Sequence, residues 1–168
     1  MRSGLQKLIH NKLFDGERLQ AQIKTWKTWN EKVVFTNGVF DLLHTGHITY
    51  LAQSAELGTK LIIGINADES VKRLKGDSRP VNNQNSRALL LASLFFVDAV
   101  IIFEQDTPQT LISSLLPDVL VKGADYSIEN IVGADEVIKN GGIVKTIDFV
   151  TGYSSTSIIQ KIRSPLEH

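Results

Sequence analysis

His44 and His47, with Gly46 between them, are the residues of this chain best placed to do chemistry. They follow an apolar run, Val33-Val34-Phe35, that is broken by Asn37-Gly38, and they precede Ile48, Leu51, Ala52 and Ala55 at helical spacing. The run lacks polar alternation and reads as a strand over 32–35 buried on both faces. Asn and Gly tolerate positive φ at least cost, so the strand ends there. The second pattern reads as a helix over 45–57, with Gly58 where a left-handed C-cap belongs. A helix start offers unpaired N–H groups and the positive end of the helix dipole, a ready receptor for a phosphate. Imidazole donors beside it add hydrogen bonds to a phosphate that gains charge during reaction, and a glycine there leaves the backbone open to a ligand. On spacing alone two alternatives stay open, a partial metal site or a satisfied core histidine. The metal reading lacks ligands: there is no cysteine, and His10 and His168 lie near the termini.

Two further stretches carry chemistry. Between residues 72 and 87 there are five basic residues (Lys72, Arg73, Lys75, Arg79, Arg87) and one acid, Asp77, in a chain of formal net charge +0. Guanidinium and ammonium groups bind phosphate strongly, so a polyphosphate would account for the excess; a solvated charged face is the competing reading. Near the C-terminus, Gly152-Tyr153-Ser154-Ser155-Thr156-Ser157 precedes Ile158, Ile159 and Ile162 at helical spacing. By itself this is a good N-cap, on Ser154 or Ser155. Its hydroxyls and free N–H groups also suit phosphate oxygens.

The elements that must position these residues alternate regularly. Apolar strands are expected at 60–66, 98–103, 118–122 and 143–149. Helices are expected over 87–96, from Pro108 to before Pro117, in part of 128–139, and after Ser154; residues 67–76 read as a helical turn fraying into a loop. Five strands interleaved with helices predict a doubly wound, Rossmann-like α/β domain with a five-stranded parallel sheet. Such sheets bind ligands beyond the carboxyl ends of their strands, where Asn37-Gly38, Asn66, Phe103, Lys122-Gly123 and Phe149 fall. Residues 1–30 read as a polar helical arm with an apolar stripe at Leu19, Ile23, Trp26 and Trp29, whose tryptophans anchor it to the domain or to a second subunit. The domain proper spans 31–164, and 165–168 read as a tag remnant.

A chain of 168 residues, 42% hydrophobic, suffices for about one domain with a real core. Its charge balance predicts no affinity for nucleic acid or an anionic membrane. Without cysteine it has no disulfide scaffold, thiolate nucleophile or cysteine-ligated zinc. No apolar run approaches the ~20 residues of a membrane span and no signal-peptide pattern opens the chain, so a cytoplasmic protein is expected.

The run Thr36 to His47, containing His44-Thr45-Gly46-His47, resembles the HxGH signature of the nucleotidyltransferase superfamily. With Arg73 to Asn82, Asp106-Thr107-Pro108-Gln109 and Leu120 to Tyr126, it is similar to one branch, the heptose 1-phosphate adenylyltransferases of bacterial ADP-heptose synthesis. The resemblance covers about residues 33–162 and implies transfer of AMP from ATP to D-glycero-β-D-manno-heptose 1-phosphate, giving ADP-heptose and pyrophosphate. It assigns catalysis to His44, His47, Lys75 and Arg73. It assigns nucleotide binding to Thr36, Asn37, Gly38, Phe40, Gly46, Asn66, Arg87, Ser154, Ser155 and Thr156, and sugar-phosphate binding to Asp41, Lys122, Gly123 and Asp125. Mg²⁺ is expected with ATP, held mainly by its phosphates; Asp41 is read as a metal ligand, a sugar ligand or a turn carboxylate. Asn85 stands where this branch has a glutamate that would orient Arg87. A homodimer is expected. Members often carry a sugar kinase domain ahead of this one, and nothing before Val33 is long enough for it, so the chain is expected to be either an excised domain or a standalone enzyme, which would need a separate kinase. The alternatives are a cytidylyltransferase acting on glycerol 3-phosphate or another polyol phosphate, and a non-catalytic ATP-sensing module.

Overall fold

The computed structural model describes residues 4–124, 127–148, 150 and 152–164. The apolar runs become strands of a parallel sheet, the central ones buried on both faces, and each is joined to the next through a helix, because parallel neighbours cannot be linked by a tight turn. In chain order the elements are α1 (Leu5–His10), β1 (Leu13–Phe14), α2 (Gly16–Thr28), β2 (Val33–Gly38), α3 (Thr45–Ala55), β3 (Lys60–Asn66) and α4 (Asp68–Lys75). There follow α5 (Gln84–Ala92), β4 (Ala99–Phe103), α6 (Gln109–Leu115), β5 (Val119–Gly123), a 3₁₀ turn (Ile128–Asn130), α7 (Ala134–Lys139), β6 (Ile143–Ile147) and α8 (Ser155–Arg163). The sheet order is β1-β4-β3-β2-β5-β6, all parallel. On one side α2, α6 and α7 bury Leu19, Ile23, Trp26, Ile112, Leu115 and Val137 against Phe35, Ile62 and Leu120. On the other, α3 and α5 bury Tyr50, Leu51 and Leu91 against Val34, Ile63, Ile65 and Val121.

Carboxylates just ahead of two strands fix where their neighbours begin. Asp98 accepts the Leu61 N–H and Asp118 accepts the Val33 N–H, each at 2.8 Å. The chain leaves β2 for β3 on one side and returns to β5 on the other. The switch in winding therefore falls at the carboxyl end of β2, where an open α/β sheet forms its crevice.

Four details differ from the sequence reading. The sheet has a sixth strand: Leu13 and Phe14 pair with Val100 and Ile101, so part of the expected arm extends the sheet. A two-residue strand is too short to carry a periodicity. Residues 68–75 form a complete helix, and α5 begins at Gln84, capped by Asn83, whose Oδ1 accepts the Ser86 N–H at 2.9 Å. Trp26 is buried as expected, whereas Trp29, the residue closing α2, is 69% exposed. Finally, the residue capping α3 is Glu56, in the right-handed helical region, rather than a left-handed Gly58. A Cβ at Gly58 would lie 2.5 Å from the Lys32 carbonyl oxygen and 2.6 Å from Val34 Cγ2, so glycine serves a close approach to β2 there. Among the described residues no helix is long and apolar enough to cross a membrane.

Candidate active site

At the end of β2 the chain turns through Phe40, at φ 47°, and enters α3 with His44 as the N-cap residue. The His44 Nδ1 accepts the backbone N–H of His47 at 3.4 Å. The two imidazoles lie ring on ring, 3.7 Å between centroids and 20° apart in plane, and the Phe40 edge meets His47 at 5.2 Å. Burial, then the neighbouring His44, push the His47 pKa down to about 4, with Lys75 adding to the fall and a hydrogen bond to the Leu42 backbone opposing it. His47 is therefore neutral at pH 7. Its Nδ1 is buried with no hydrogen-bond partner among the described residues, and so is Asn37 Oδ1. Buried polar atoms without partners are rare, and both residues line the cavity a ligand would enter.

That cavity has a volume of about 510 Å³ and lies at the carboxyl ends of β2, β3 and β5. Asn37, Gly38, Phe40, Asp41 and His47 form one wall; Lys75 and Arg79 approach from α4 and the loop after it. Asn66, Lys122, Gly123 and Ser155 also line it. Lys75 makes no salt bridge among the described residues. Burial pushes its pKa down, Arg79 adds to the fall, and Asp41 opposes it. The site thus holds a partly desolvated cation beside a neutral imidazole and the amino end of α3, an arrangement suited to polyanions.

Asp41 has another task. Its carboxylate, 1% exposed, accepts Arg79 Nε at 2.7 Å, the Val81 N–H at 2.8 and 2.9 Å, and the Asn82 N–H at 2.9 Å. Of its three readings, the structure shows the hydrogen-bonded turn carboxylate. Three donors, the Val81 N–H being shared between both oxygens, take up most of its acceptor capacity, and the residue borders the cavity as well. Among the described residues no group of three or more His, Asp or Glu is arranged to hold a metal.

The remaining assignments divide. Thr36 is fully buried, its hydroxyl 2.7 Å from the Tyr50 hydroxyl, below the cavity floor. Gly46 is buried beside the cavity wall, where a Cβ would lie 3.1 Å from His44 Nδ1 and 3.2 Å from Tyr153 Cβ. Arg87 is fully buried and donates to the carbonyls of Asn82, Val39 and Asn66 and to Asp68 Oδ1 at 2.7–3.0 Å, so it braces the ends of β2 and β3 from behind. Asp68 supplies the carboxylate expected at position 85; Asn85 lines a second cavity with His10 and Leu89. Asn66 lines the site while its amide donates to Ser70 Oγ at 3.0 Å. Arg73 pairs on the surface with Asp106 at 2.6 Å and the Glu104 carbonyl, and Lys72 with Glu69. Ser154 caps α8, Ser155 Oγ donates to the Leu42 carbonyl at 3.2 Å, and Thr156 is exposed. Asp125, Tyr126, Phe149 and 165–168 lie outside the described residues.

Sequence reasoning gave no site role to Arg79, which was counted only as part of the basic run, or to Tyr153 and the 130–132 segment. Of these only Arg79 had a signal, a cation held next to Pro80 inside an otherwise polar loop.

Residues 35–161 match the cytidylyltransferase-like family. The bifunctional protein HldE of Haemophilus ducreyi is 51% identical over 166 residues, which is 95% of this chain and 35% of that protein. A solved lipopolysaccharide core biosynthesis protein from Thermoplasma volcanium is 30% identical with a TM-score of 0.57, covering 74% of this chain and 99% of that one. A pantoate-beta-alanine ligase from Francisella tularensis shares the fold at a TM-score of 0.59 and 12% identity, over 88% of this chain and 75% of its own. This chain spans about a third of the length of the curated HldE relatives it matches. They are named bifunctional, so a second activity accompanies this region in them, and the expectation of a separate kinase draws no support from them.

Proposed function

Because this chain belongs to the cytidylyltransferase-like family, we propose that its crevice transfers AMP from ATP to a heptose 1-phosphate, releasing pyrophosphate and ADP-heptose. The observation that carries this reading is convergence. Four sequence blocks resembling the heptose 1-phosphate adenylyltransferases are widely separated in the chain, yet each contributes to one cavity. They supply Asn37 to Asp41 with His47, Lys75 and Arg79, Asp106 to Pro108, and Lys122-Gly123.

A phosphate oxygen of the sugar attacks the α-phosphorus of ATP. The new P–O bond forms as the bond to the bridging oxygen breaks, and pyrophosphate leaves. The attacking oxygen is already anionic, so no strong general base is required and no covalent enzyme intermediate forms; positioning and charge neutralisation supply the catalysis. His47, His44 and the α3 amino end face the phosphates, and Lys75 meets the charge moving onto pyrophosphate. ATP would bring a divalent cation, expected as Mg²⁺, on its own phosphates, where it would neutralise part of their charge.

Pyrophosphate release from ATP and heptose 1-phosphate tests the reading. Activity is expected with ATP, and His47→Ala and Lys75→Ala are each expected to cost on the order of 10²–10³ in kcat. Turnover with CTP and a polyol phosphate instead would favour the cytidylyltransferase alternative. ATP binding without pyrophosphate release for any sugar phosphate would favour the sensor. ATP as substrate supports a cytoplasmic location. For the proposed homodimer one apolar surface on offer is where α1 meets α5, with Leu5, Leu8, Leu89 and Leu90 each at least 40% exposed.

A further inference from the structure

We propose that Tyr153 is a positioning residue for His44, holding its imidazole in the orientation that meets the phosphate. This rests on the reading of His44 as a phosphate donor. His44 is weakly tethered by polar contacts. Among the described residues its imidazole has one hydrogen bond, accepted from the His47 N–H at 3.4 Å, at the outer limit for such a bond. Rings hold it instead. The His47 imidazole lies 3.7 Å away and the Tyr153 ring 6.4 Å away, each within 20° of the His44 plane. Aromatic pairs interact favourably at centroid separations of about 4.5–7 Å, and a near-parallel neighbour resists rotation of the imidazole out of plane.

The chain around Tyr153 is built for that contact. Ser154 Oγ accepts the Ser157 N–H at 3.0 Å and begins α8, and Ser155 Oγ donates to the Leu42 carbonyl. The residues after Tyr153 are thus tied to the turn that carries His44. Gly46 completes the fit, since a Cβ there would press on both His44 Nδ1 and Tyr153 Cβ. Tyr153 itself is 50% exposed and belongs to neither hydrophobic cluster, so core burial does not explain a ring at this position.

The test compares Tyr153→Ala with Tyr153→Phe in the whole chain. It follows the four histidine Cε1–H resonances by NMR, assigned with His44→Gln, alongside pyrophosphate release. The expected result is that Tyr153→Ala shifts the His44 resonance and lowers kcat roughly three- to tenfold, with the KM for ATP within about twofold of wild type. Tyr153→Phe keeps both the resonance and the rate, since it keeps the ring. An unmoved His44 resonance or an unchanged kcat in Tyr153→Ala overturns the inference. So does a Tyr153→Phe variant as impaired as Tyr153→Ala, which would transfer the role to the hydroxyl. If the wild-type protein releases no pyrophosphate, the functional reading fails, while the His44 resonance still decides whether Tyr153 holds that ring.

Discussion

Asp41→Asn distinguishes a carboxylate that builds the site from one that binds the substrate. In the folded protein Asp41 is 1% exposed and Arg79 14%, and the pair is closed at 2.7 Å with two backbone N–H groups on the same carboxylate. An amide of the same shape keeps one acceptor oxygen, loses the charge opposite Arg79 and turns an NH₂ toward the Val81 or Asn82 donor. Hydrogen bonds to charged groups contribute about 1.5–3 kcal/mol, and breaking a buried ion pair costs about 3–5 kcal/mol. The 79–82 loop borders the crevice and can open to water, which recovers part of that. The expected loss is about 2–4 kcal/mol, read as a lower urea midpoint at unchanged m. The KM for ATP should rise with it, because Lys75 and Arg79 lie on the segment that Asp41 holds. A stability within about 1 kcal/mol of wild type, with the defect confined to the sugar-phosphate KM or to the metal requirement, would refute this and return Asp41 to the substrate.

Three further outcomes follow from the same contacts. His47 titrates near 4 when folded and near 6.5 when unfolded, so between those values the unfolded chain binds more protons and stability falls as pH drops; after discounting for its partial exposure the loss attributable to His47 is about 1–2 kcal/mol from pH 7 to 4.5, and His47→Gln should flatten that slope in urea unfolding. Gly58→Ala should destabilise by about 2–4 kcal/mol in the same assay, because its Cβ meets the Lys32 carbonyl, which is backbone and cannot swing aside. Arg73→Ala should lower kcat/KM at least about tenfold less than Lys75→Ala, since Arg73 is engaged with Asp106 at the surface whereas Lys75 lines the cavity. Equal losses would bring Arg73 into the phosphate clamp.

The sequence was legible where one residue type has one physical use. Buried parallel strands require uninterrupted apolar runs, so 60–66 was read to the residue, and the crevice followed from where those runs stop. The histidine pair was legible because its spacing crosses a helix start. Less accessible were features defined by what lies opposite in space. The identity of the Arg87 carboxylate depends on where α4 begins: its first residue, Asp68, 19 residues from Arg87, meets α5 through Gln84 and Arg87 and takes the role a carboxylate at position 85 would have had. Gly58 has the composition of a C-cap and the surroundings of a strand contact, and only the proximity of Lys32 separates the two. Tyr153 reads as one aromatic residue before an N-cap until His44 is seen beside it.

The two walls of the crevice come from distant parts of the chain, and the reaction needs them at a fixed separation. One wall is the α3 amino end, stiffened by Phe40, His47, His44 and Tyr153 in contact with one another. The other is the cationic segment from Lys75 to Arg79, which α4 delivers but which runs on into a loop. Misplacement of phosphate ligands by about 1 Å is enough to cost orders of magnitude in rate, so a loop free to drift would not serve. Asp41 sits within the first wall, between Phe40 and His44, and its hydrogen bonds reach 38 to 41 residues forward into the second. It is the described residue that belongs to one wall by covalent bonds and grips the other by a buried ion pair. A carboxylate in that position sets the distance between the imidazoles and the ammonium, and under the proposed reading it does so without being a phosphate ligand. An aspartate in the middle of the histidine motif therefore need not be a ligand for its loss to be felt in catalysis.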